Sequence, residues 1–181
     1  MFDTVLVAGL GLMGGSMAKT IKARTLSRVL GWNRTRATAE QALADGSIDA
    51  IATEALYKEA DLVIIGLYPQ ATVDWLLENM PKMKKGCVIV DMVGVKQFMV
   101  DHLEQAALDA GVHYVGGHPM AGREFSGLDF ALSTLFDGAS MIFVPTKSST
   151  ERVLEQLEAY FMSLGFGQTV CCTAQQHDHM I

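Results

Sequence analysis

The stretch that decides the fold is TVLVAGLGLMGGSMAKT, residues 4–20. An apolar run, Thr4–Ala8, leads directly into Gly9-Leu10-Gly11-Leu12-Met13-Gly14, and a helical period follows. A GxGxxG motif that ends a strand and opens a helix is the fingerprint of dinucleotide-binding domains. Gly9 permits the tight turn, Gly11 lets the backbone approach a pyrophosphate, and Gly14 allows close helix packing. We therefore predict a coenzyme-binding loop, the alternative being an ordinary glycine-rich turn.

Outward from this loop, short apolar runs alternate with helical periods, which is typical of a parallel sheet covered by helices. The predicted strands are Thr4–Ala8, Arg28–Trp32, Asp61–Gly66, Cys87–Asp91, His113–Gly116, Ser140–Val144 and Thr169–Thr173. The predicted helices are Gly14–Thr25, Thr35–Asp45, Gln70–Met80, Lys96–Ala110 and Ser149–Leu164, the last opened by a Ser148-x-x-Glu151 capping box. The fold class is α/β, with a doubly wound, mostly parallel sheet of the Rossmann type.

Composition narrows the range of partners and compartments. The formal net charge is −6, so we expect no basic surface for nucleic acid or anionic lipid. The N-terminus lacks a signal-peptide pattern and no apolar run is long enough to span a membrane, which predicts a cytoplasmic protein. Cys87, Cys171 and Cys172 form no CxxC pair, and we interpret all three as reduced core residues.

The second predicted strand ends in GWNRTR, residues 31–36. In NAD-binding domains an acidic residue at this position binds the adenosine ribose. Here the residue is Asn33, followed by Arg34 and Thr35. A neutral amide beside cations favours a 2′-phosphate, so we predict NADP as the preferred coenzyme and NAD as the alternative. The other interpretation is a solvated, basic helix start.

Three segments should meet at the carboxyl edge of the sheet, where such folds bind ligands. They are Gly66-Leu67-Tyr68-Pro69, Asp91–Lys96 and Gly116-Gly117-His118-Pro119. We expect Tyr68 and Pro69 to contact the coenzyme. Pro119 restricts the backbone of His118, whose imidazole titrates near neutral pH and could accept a proton from a reacting hydroxyl. A structural histidine at a turn is the alternative.

The last residues, AQQHDHMI, have the pattern of a new helix. We therefore expect residues 1–173 to form the nucleotide-binding domain and residues 174–181 to begin a C-terminal helical domain that continues beyond this chain. His177-x-His179 does not suggest a metal site, since residues two apart on a helix point to different faces. No metal is predicted.

Three motifs together resemble the prephenate/arogenate dehydrogenase family of tyrosine biosynthesis. They are the glycine fingerprint extended to Ser16, the Asp91…Gly94-Val95-Lys96 segment, and GGHPMAG…SG at residues 116–127; His177-Asp178 also resembles the start of that family's helical domain. The resemblance implies oxidative decarboxylation of prephenate to 4-hydroxyphenylpyruvate, or of arogenate to tyrosine, with reduction of NAD(P)+. It further implies a homodimer formed through the C-terminal domain.

The same resemblance implies site residues. His118 would hold the substrate hydroxyl, Glu124, Arg123 and Ser126 would contact the substrate, and the coenzyme would lie on the glycine loop, including Leu12 and Met13. One departure is Gly94, where many relatives carry a serine that supports the histidine, so this support must come from elsewhere. A β-hydroxyacid-type dehydrogenase and a non-catalytic nucleotide sensor remain alternatives, and the choice between prephenate and arogenate stays open.

Overall fold

The computed structural model describes residues 2–181, in which strands and helices alternate along the chain. The strands are β1 (Thr4–Ala8), β2 (Arg28–Trp32), β3 (Ala50–Ile51), β4 (Leu62–Ile65), β5 (Val88–Asp91), β6 (His113–Pro119), β7 (Ser140–Pro145) and β8 (Gln168–Cys171). The helices are α1 (Leu12–Arg24), α2 (Arg36–Ala44), α3 (Glu54–Tyr57), α4 (Pro69–Asn79), α5 (Gln97–Ala110), α6 (Glu151–Ser163) and α7 (Ala174–Met180).

All eight strands form one sheet in the order β3-β2-β1-β4-β5-β6-β7-β8. Every neighbouring pair is parallel except β6 and β7, which are antiparallel. The chain reverses its direction of winding between β1 and β4, and this switch point opens a crevice at the carboxyl ends of the strands. The predicted doubly wound, mostly parallel sheet is confirmed.

Helices cover both faces of the sheet, and each face has its own hydrophobic core. Residues of α1, α2 and α6 pack on one face, and residues of α3, α4 and α5 pack on the other. Strand β1 divides its side chains between them, with Val5 and Val7 in the first core and Leu6 and Ala8 in the second. This burial on both faces explains why the central strands are almost continuously apolar.

The structure corrects several local predictions. Strand β3 and helix α3 were not predicted, because elements of two and four residues carry too little periodicity. Strand β6 runs to Pro119, three residues beyond the predicted end, because its last residues pair with β7. The predicted Ser148 capping box is wrong. Thr150 caps α6 by accepting a hydrogen bond from the Val153 N–H at 3.2 Å, whereas the Ser148 hydroxyl accepts from the backbone of β6.

All three cysteines are free, but the predicted core position holds for only one of them. Cys87 is buried in the core, where burial raises the pKa of its thiol to about 12. Cys171 is exposed and Cys172 is half-buried, because β8 lies at the edge of the sheet. Within residues 2–181, no helix combines the length and the apolar character that crossing a bilayer requires.

Candidate active site

The glycine loop between β1 and α1 has the geometry that its sequence predicts. Gly9 has a φ of +91°, which disfavours any residue with a side chain, and a Cβ there would lie 2.6 Å from the Gly66 carbonyl oxygen. A Cβ on Gly14 would lie 1.6 Å from the Gly9 carbonyl oxygen, so only glycine allows α1 to start this close to the turn. Gly11 is different, since nothing lies within 4 Å of its ideal Cβ position. Its backbone is therefore open to a ligand.

A cleft of about 1040 Å³ lies at the carboxyl ends of the strands, and Gly11 is one of the residues that line it. All of the predicted coenzyme residues line it except Gly14, which packs beneath the loop. They are Gly9, Gly11, Leu12, Met13, Asn33, Arg34, Thr35, Tyr68 and Pro69. The cleft is larger than most small-molecule pockets and suits an extended ligand such as a dinucleotide.

Sequence reasoning missed one wall of this cleft. Asp74, Trp75 and Glu78 of α4 line it, together with Trp32 at the end of β2. The two indole rings pack with their centroids 5.5 Å apart. Asp74 and Glu78 lie four residues apart, which places both on one face of the helix that follows the Tyr68-Pro69 turn. This spacing is the signal that could have identified the wall.

Asn33 connects two of the loops that line the cleft. Its Oδ1 accepts a hydrogen bond from the Leu10 N–H at 2.9 Å, and its Nδ2 donates to the Thr35 carbonyl at 3.1 Å. Arg34 is exposed and lines the cleft, whereas Arg36 pairs with Glu40 on the surface of α2. Arg34 is thus the guanidinium that lines this end of the cleft.

His118 lies near the end of β6 and takes part in a chain of hydrogen bonds. Its Nδ1 lies 2.8 Å from Nε2 of His177, and Nδ1 of His177 lies 2.7 Å from a carboxylate oxygen of Asp178. His118 is half-buried, and this burial is the main cause that lowers the pKa of its imidazole. The positive charges that His177 and Lys96 can carry lower this pKa further, and the Asp91 carboxylate opposes them. The ring is therefore neutral at neutral pH, as a base must be.

The other ring nitrogen of His118 faces the β5–α5 loop. A Cβ placed on Gly94 would lie 3.8 Å from Nε2 of His118, and Gly94 itself lines the cleft. Sequence reasoning had left open which group supports His118 in the absence of a serine at this position. In the structure that group is His177, and it holds Nδ1, the opposite nitrogen from the one that Gly94 faces.

Behind the same loop lies a buried ion pair that sequence reasoning did not identify. Lys96 Nζ is 2.6 Å from Asp91 Oδ1, and the side chains of both residues are fully buried. Lys96 also donates to the backbone carbonyls of Val93 and Val95, and the Tyr114 hydroxyl donates to Asp91 Oδ2 at 2.6 Å. Burial, together with the Asp91 charge and hydrogen bond, raises the pKa of Tyr114 well above its usual value. This network fixes the loop that carries Gly94.

The predicted substrate residues do not all meet at the cleft. Ser126 lines it. Arg123 instead donates to the Phe130 carbonyl at 3.0 Å and lies over the Phe125 ring, 5.3 Å from its centroid. Glu124 is exposed and lies outside the lining. Among residues 2–181, no three His, Cys, Asp or Glu side chains come together in a group that could hold a metal ion.

Comparison with known proteins agrees with this geometry. The model of the family described as prephenate dehydrogenase, nucleotide-binding domain, matches residues 17–168. The chain belongs to the prephenate dehydrogenase family. A prephenate dehydrogenase from Bacillus subtilis is 37% identical over 87% of this chain and 43% of its own length. A cyclohexadienyl dehydrogenase from Zymomonas mobilis is 28% identical over 99% of this chain and 61% of its own length.

Among solved structures of this family, the arogenate dehydrogenase of Synechocystis superposes with a TM-score of 0.88 at 26% identity. The match covers 98% of this chain and 62% of that protein. The chain thus spans about half the length of the curated relatives it matches. Residues 17–168 match the family's nucleotide-binding domain, and these relatives are named for three kinds of substrate: prephenate, arogenate and cyclohexadienyl compounds.

Proposed function

We propose that this chain is the coenzyme-binding part of a prephenate dehydrogenase that prefers NADP+. The reaction is the oxidative decarboxylation of prephenate to 4-hydroxyphenylpyruvate. The observation that carries the proposal is a neutral His118 whose Nε2 points toward the loop lining the nucleotide cleft. Arogenate is the alternative substrate, because a relative of the same family is named for it.

The residues of the cleft fit the proposed coenzyme. The backbone is open at Gly11, and the N-terminus of α1 directs unpaired N–H groups and the positive end of its dipole toward the place of a pyrophosphate. Bound NAD(P)+ supplies the hydride acceptor. Tyr68 and the α4 wall line the same cleft as Arg34 and Thr35, so together these residues would hold the coenzyme.

His118 would act on the substrate hydroxyl. Its Nε2 lone pair accepts a hydrogen bond from the hydroxyl at C4 and draws the proton toward the ring as the C4 hydride departs. The carboxylate at C1 leaves as CO2, and its electron pair enters the ring, which becomes aromatic. The hydroxyl then keeps its proton as a phenol, so His118 returns to its neutral state.

Arg34 supports the preference for NADP+. A guanidinium that lines the cleft beside a neutral Asn33 can bind a 2′-phosphate by charge-assisted hydrogen bonds. Calorimetric titration of the chain should give NADP+ binding about tenfold tighter than NAD+, equivalent to ~1.4 kcal/mol. R34A should abolish the difference, whereas R36A, whose guanidinium pairs with Glu40 outside the cleft, should keep it. Equal affinities in the unmodified chain would refute the preference.

Catalysis is tested in the complete protein that contains this chain. H118N should lower kcat for prephenate by about 10²- to 10⁴-fold, the usual contribution of a general base, and leave the Kd for NADP+ unchanged. Dehydrogenation that survives in H118N would contradict the proposal and favour a nucleotide sensor or another chemistry. The ratio of kcat/KM for prephenate and arogenate identifies the substrate.

Three further proposals concern domain organisation, assembly and compartment. We propose that residues 174–181 begin a second, helical domain, that the complete protein is a homodimer, and that it acts in the cytoplasm. Light scattering of the complete protein tests the assembly, and a monomer at micromolar concentration would refute it.

A further inference from the structure

Three side chains from distant parts of the chain form a line that ends at the candidate base. Asp178 and His177 belong to α7, and His118 belongs to β6. The line runs from the Asp178 carboxylate to Nδ1 of His177 at 2.7 Å, and from Nε2 of His177 to Nδ1 of His118 at 2.8 Å. His177 is fully buried, so protein groups hold its ring on both sides.

Asp178 is fixed by the start of α5. Its Oδ1 accepts from the Lys96 backbone N–H at 2.8 Å, and its Oδ2 accepts from the Gln97 N–H at 2.9 Å. Partial burial acts to raise the pKa of Asp178, but the hydrogen bonds from His177 and from these two N–H groups hold it below the usual value. The group is therefore a carboxylate at neutral pH, and a carboxylate can only accept hydrogen bonds.

The positions of the protons follow from this acceptor. Nδ1 of His177 must carry a hydrogen to donate to Asp178. In a neutral imidazole the other nitrogen then has a lone pair, so Nε2 of His177 accepts, and Nδ1 of His118 must donate to it. The same rule leaves the lone pair of neutral His118 on Nε2, the nitrogen that faces Gly94.

We propose that His177 and Asp178 are positioning residues that lock His118 in the Nδ1–H tautomer and thereby keep Nε2 available as the base. This proposal rests on the proposed role of His118 in dehydrogenation. It assigns the support of His118 to α7, on the ring nitrogen opposite Gly94. The glycine leaves the Nε2 side open, because even a Cβ there would lie 3.8 Å from the ring.

The lock also gives a pH dependence. The titratable groups that act on His118 are His177 and Asp178 on α7, Lys96 at the start of α5 and Asp91 at the end of β5. A proton added to neutral His118 occupies Nε2, which can then no longer serve as the base. Catalysis therefore requires a pH above the lowered pKa of this ring.

The test reads the tautomer directly. Two-bond ¹H–¹⁵N correlation spectra of the ¹⁵N-histidine-labelled chain distinguish protonated from unprotonated ring nitrogens. At a pH where both rings are neutral, we expect His118 to be protonated at Nδ1 and bare at Nε2, and H177A to shift it toward the Nε2–H form. The proposal is overturned if the unmodified chain has the Nε2–H form, or if H177A keeps the Nδ1–H form unchanged. The spectrum of the unmodified chain can refute the proposal by itself, so the test does not depend on whether H177A folds.

Kinetics of the complete protein supply a second measurement. H177A should lower kcat about tenfold to a hundredfold, which is part of the 10²- to 10⁴-fold contribution of a general base, with the KM for substrate unchanged. H177Q, which retains an amide acceptor at a similar reach, should recover part of the loss. A loss confined to KM would overturn the positioning role. The spectra are recorded without substrate, so they test the tautomer of His118 independently of catalysis. If His118 has the Nδ1–H form but the H118N protein is still active, the proposed function is refuted and the tautomer assignment stands.

Discussion

Replacing Lys96 with methionine should destabilise the fold more than any surface lysine substitution. In the structure Lys96 Nζ is 2.6 Å from Asp91 Oδ1, and both side chains have 0% exposure. K96M keeps most of the volume but leaves the Asp91 carboxylate buried, with hydrogen bonds only from the Tyr114 hydroxyl and the Val93 N–H. Removing one partner of a buried ion pair typically costs about 3–5 kcal/mol, because the remaining charge is uncompensated.

The chain contains a matched control for this argument. Lys22 and Asp49 form an ion pair with the same N–O distance of 2.6 Å, but their side chains are 35% and 33% exposed. Water can solvate either partner after the other is removed, so K22M should cost only about 0–1 kcal/mol. The two substitutions therefore separate the effect of burial from the effect of geometry.

Urea denaturation followed by tryptophan fluorescence and circular dichroism measures both free energies of unfolding. For a chain of this size, the expected loss in K96M corresponds to a fall in Tm of about 6–20 °C. The double variant D91N/K96M removes both charges, and its loss should be smaller than the sum of the single losses. The reasoning is refuted if K96M costs no more than K22M, or if the double variant shows simple additivity.

Three further predictions concern the loop, a helix cap and acid stability. G14A should abolish NADP+ binding in calorimetry and lower Tm, because its Cβ would lie 1.6 Å from the Gly9 carbonyl; a variant that binds normally would contradict the loop geometry. T150A should lower the free energy of unfolding by about 0.5–2 kcal/mol through loss of the α6 cap, whereas T150S should retain it, and equal stabilities would exclude the cap. Burial acts to raise the pKa of Asp61, but Lys84 and two backbone N–H groups hold it below the unfolded value of about 3.9. Its stabilisation is therefore full above that pH and lost as the pH falls through the folded pKa. D61N should flatten this decline in urea titrations that extend from about pH 5 to about pH 2, and an unchanged slope would contradict it.

Much of the sheet could be predicted from sequence because its signals are local. Strands β1, β2 and β5 follow from apolar runs that are buried on both faces, and their predicted bounds lie within one residue of those observed. Strand β6 was predicted too short, since Gly117 and Pro119 discourage a strand when considered alone. Pairing with the antiparallel β7 outweighs that preference, and such pairing is a property of the tertiary structure.

The sequence by itself determined the nucleotide loop, because the constraint lies within six residues. Gly9 needs a positive φ, and Gly14 must approach the Gly9 carbonyl, so the spacing of the glycines specifies the turn. It also indicated part of the lining of the cleft, namely the glycine loop, Asn33, Arg34, Thr35, Tyr68 and Pro69, since strand ends in a parallel sheet point to one edge.

Only the tertiary structure decided how the ring of His118 is held. His118 and His177 are 59 residues apart in sequence, and Asp178 is 82 residues from the backbone N–H of Lys96 that it binds. Their contact depends on α7 packing against the start of α5, and no local pattern specifies that packing. The direction of each hydrogen bond, and thus the nitrogen that is free to act as a base, follows from which groups the fold brings within 3 Å.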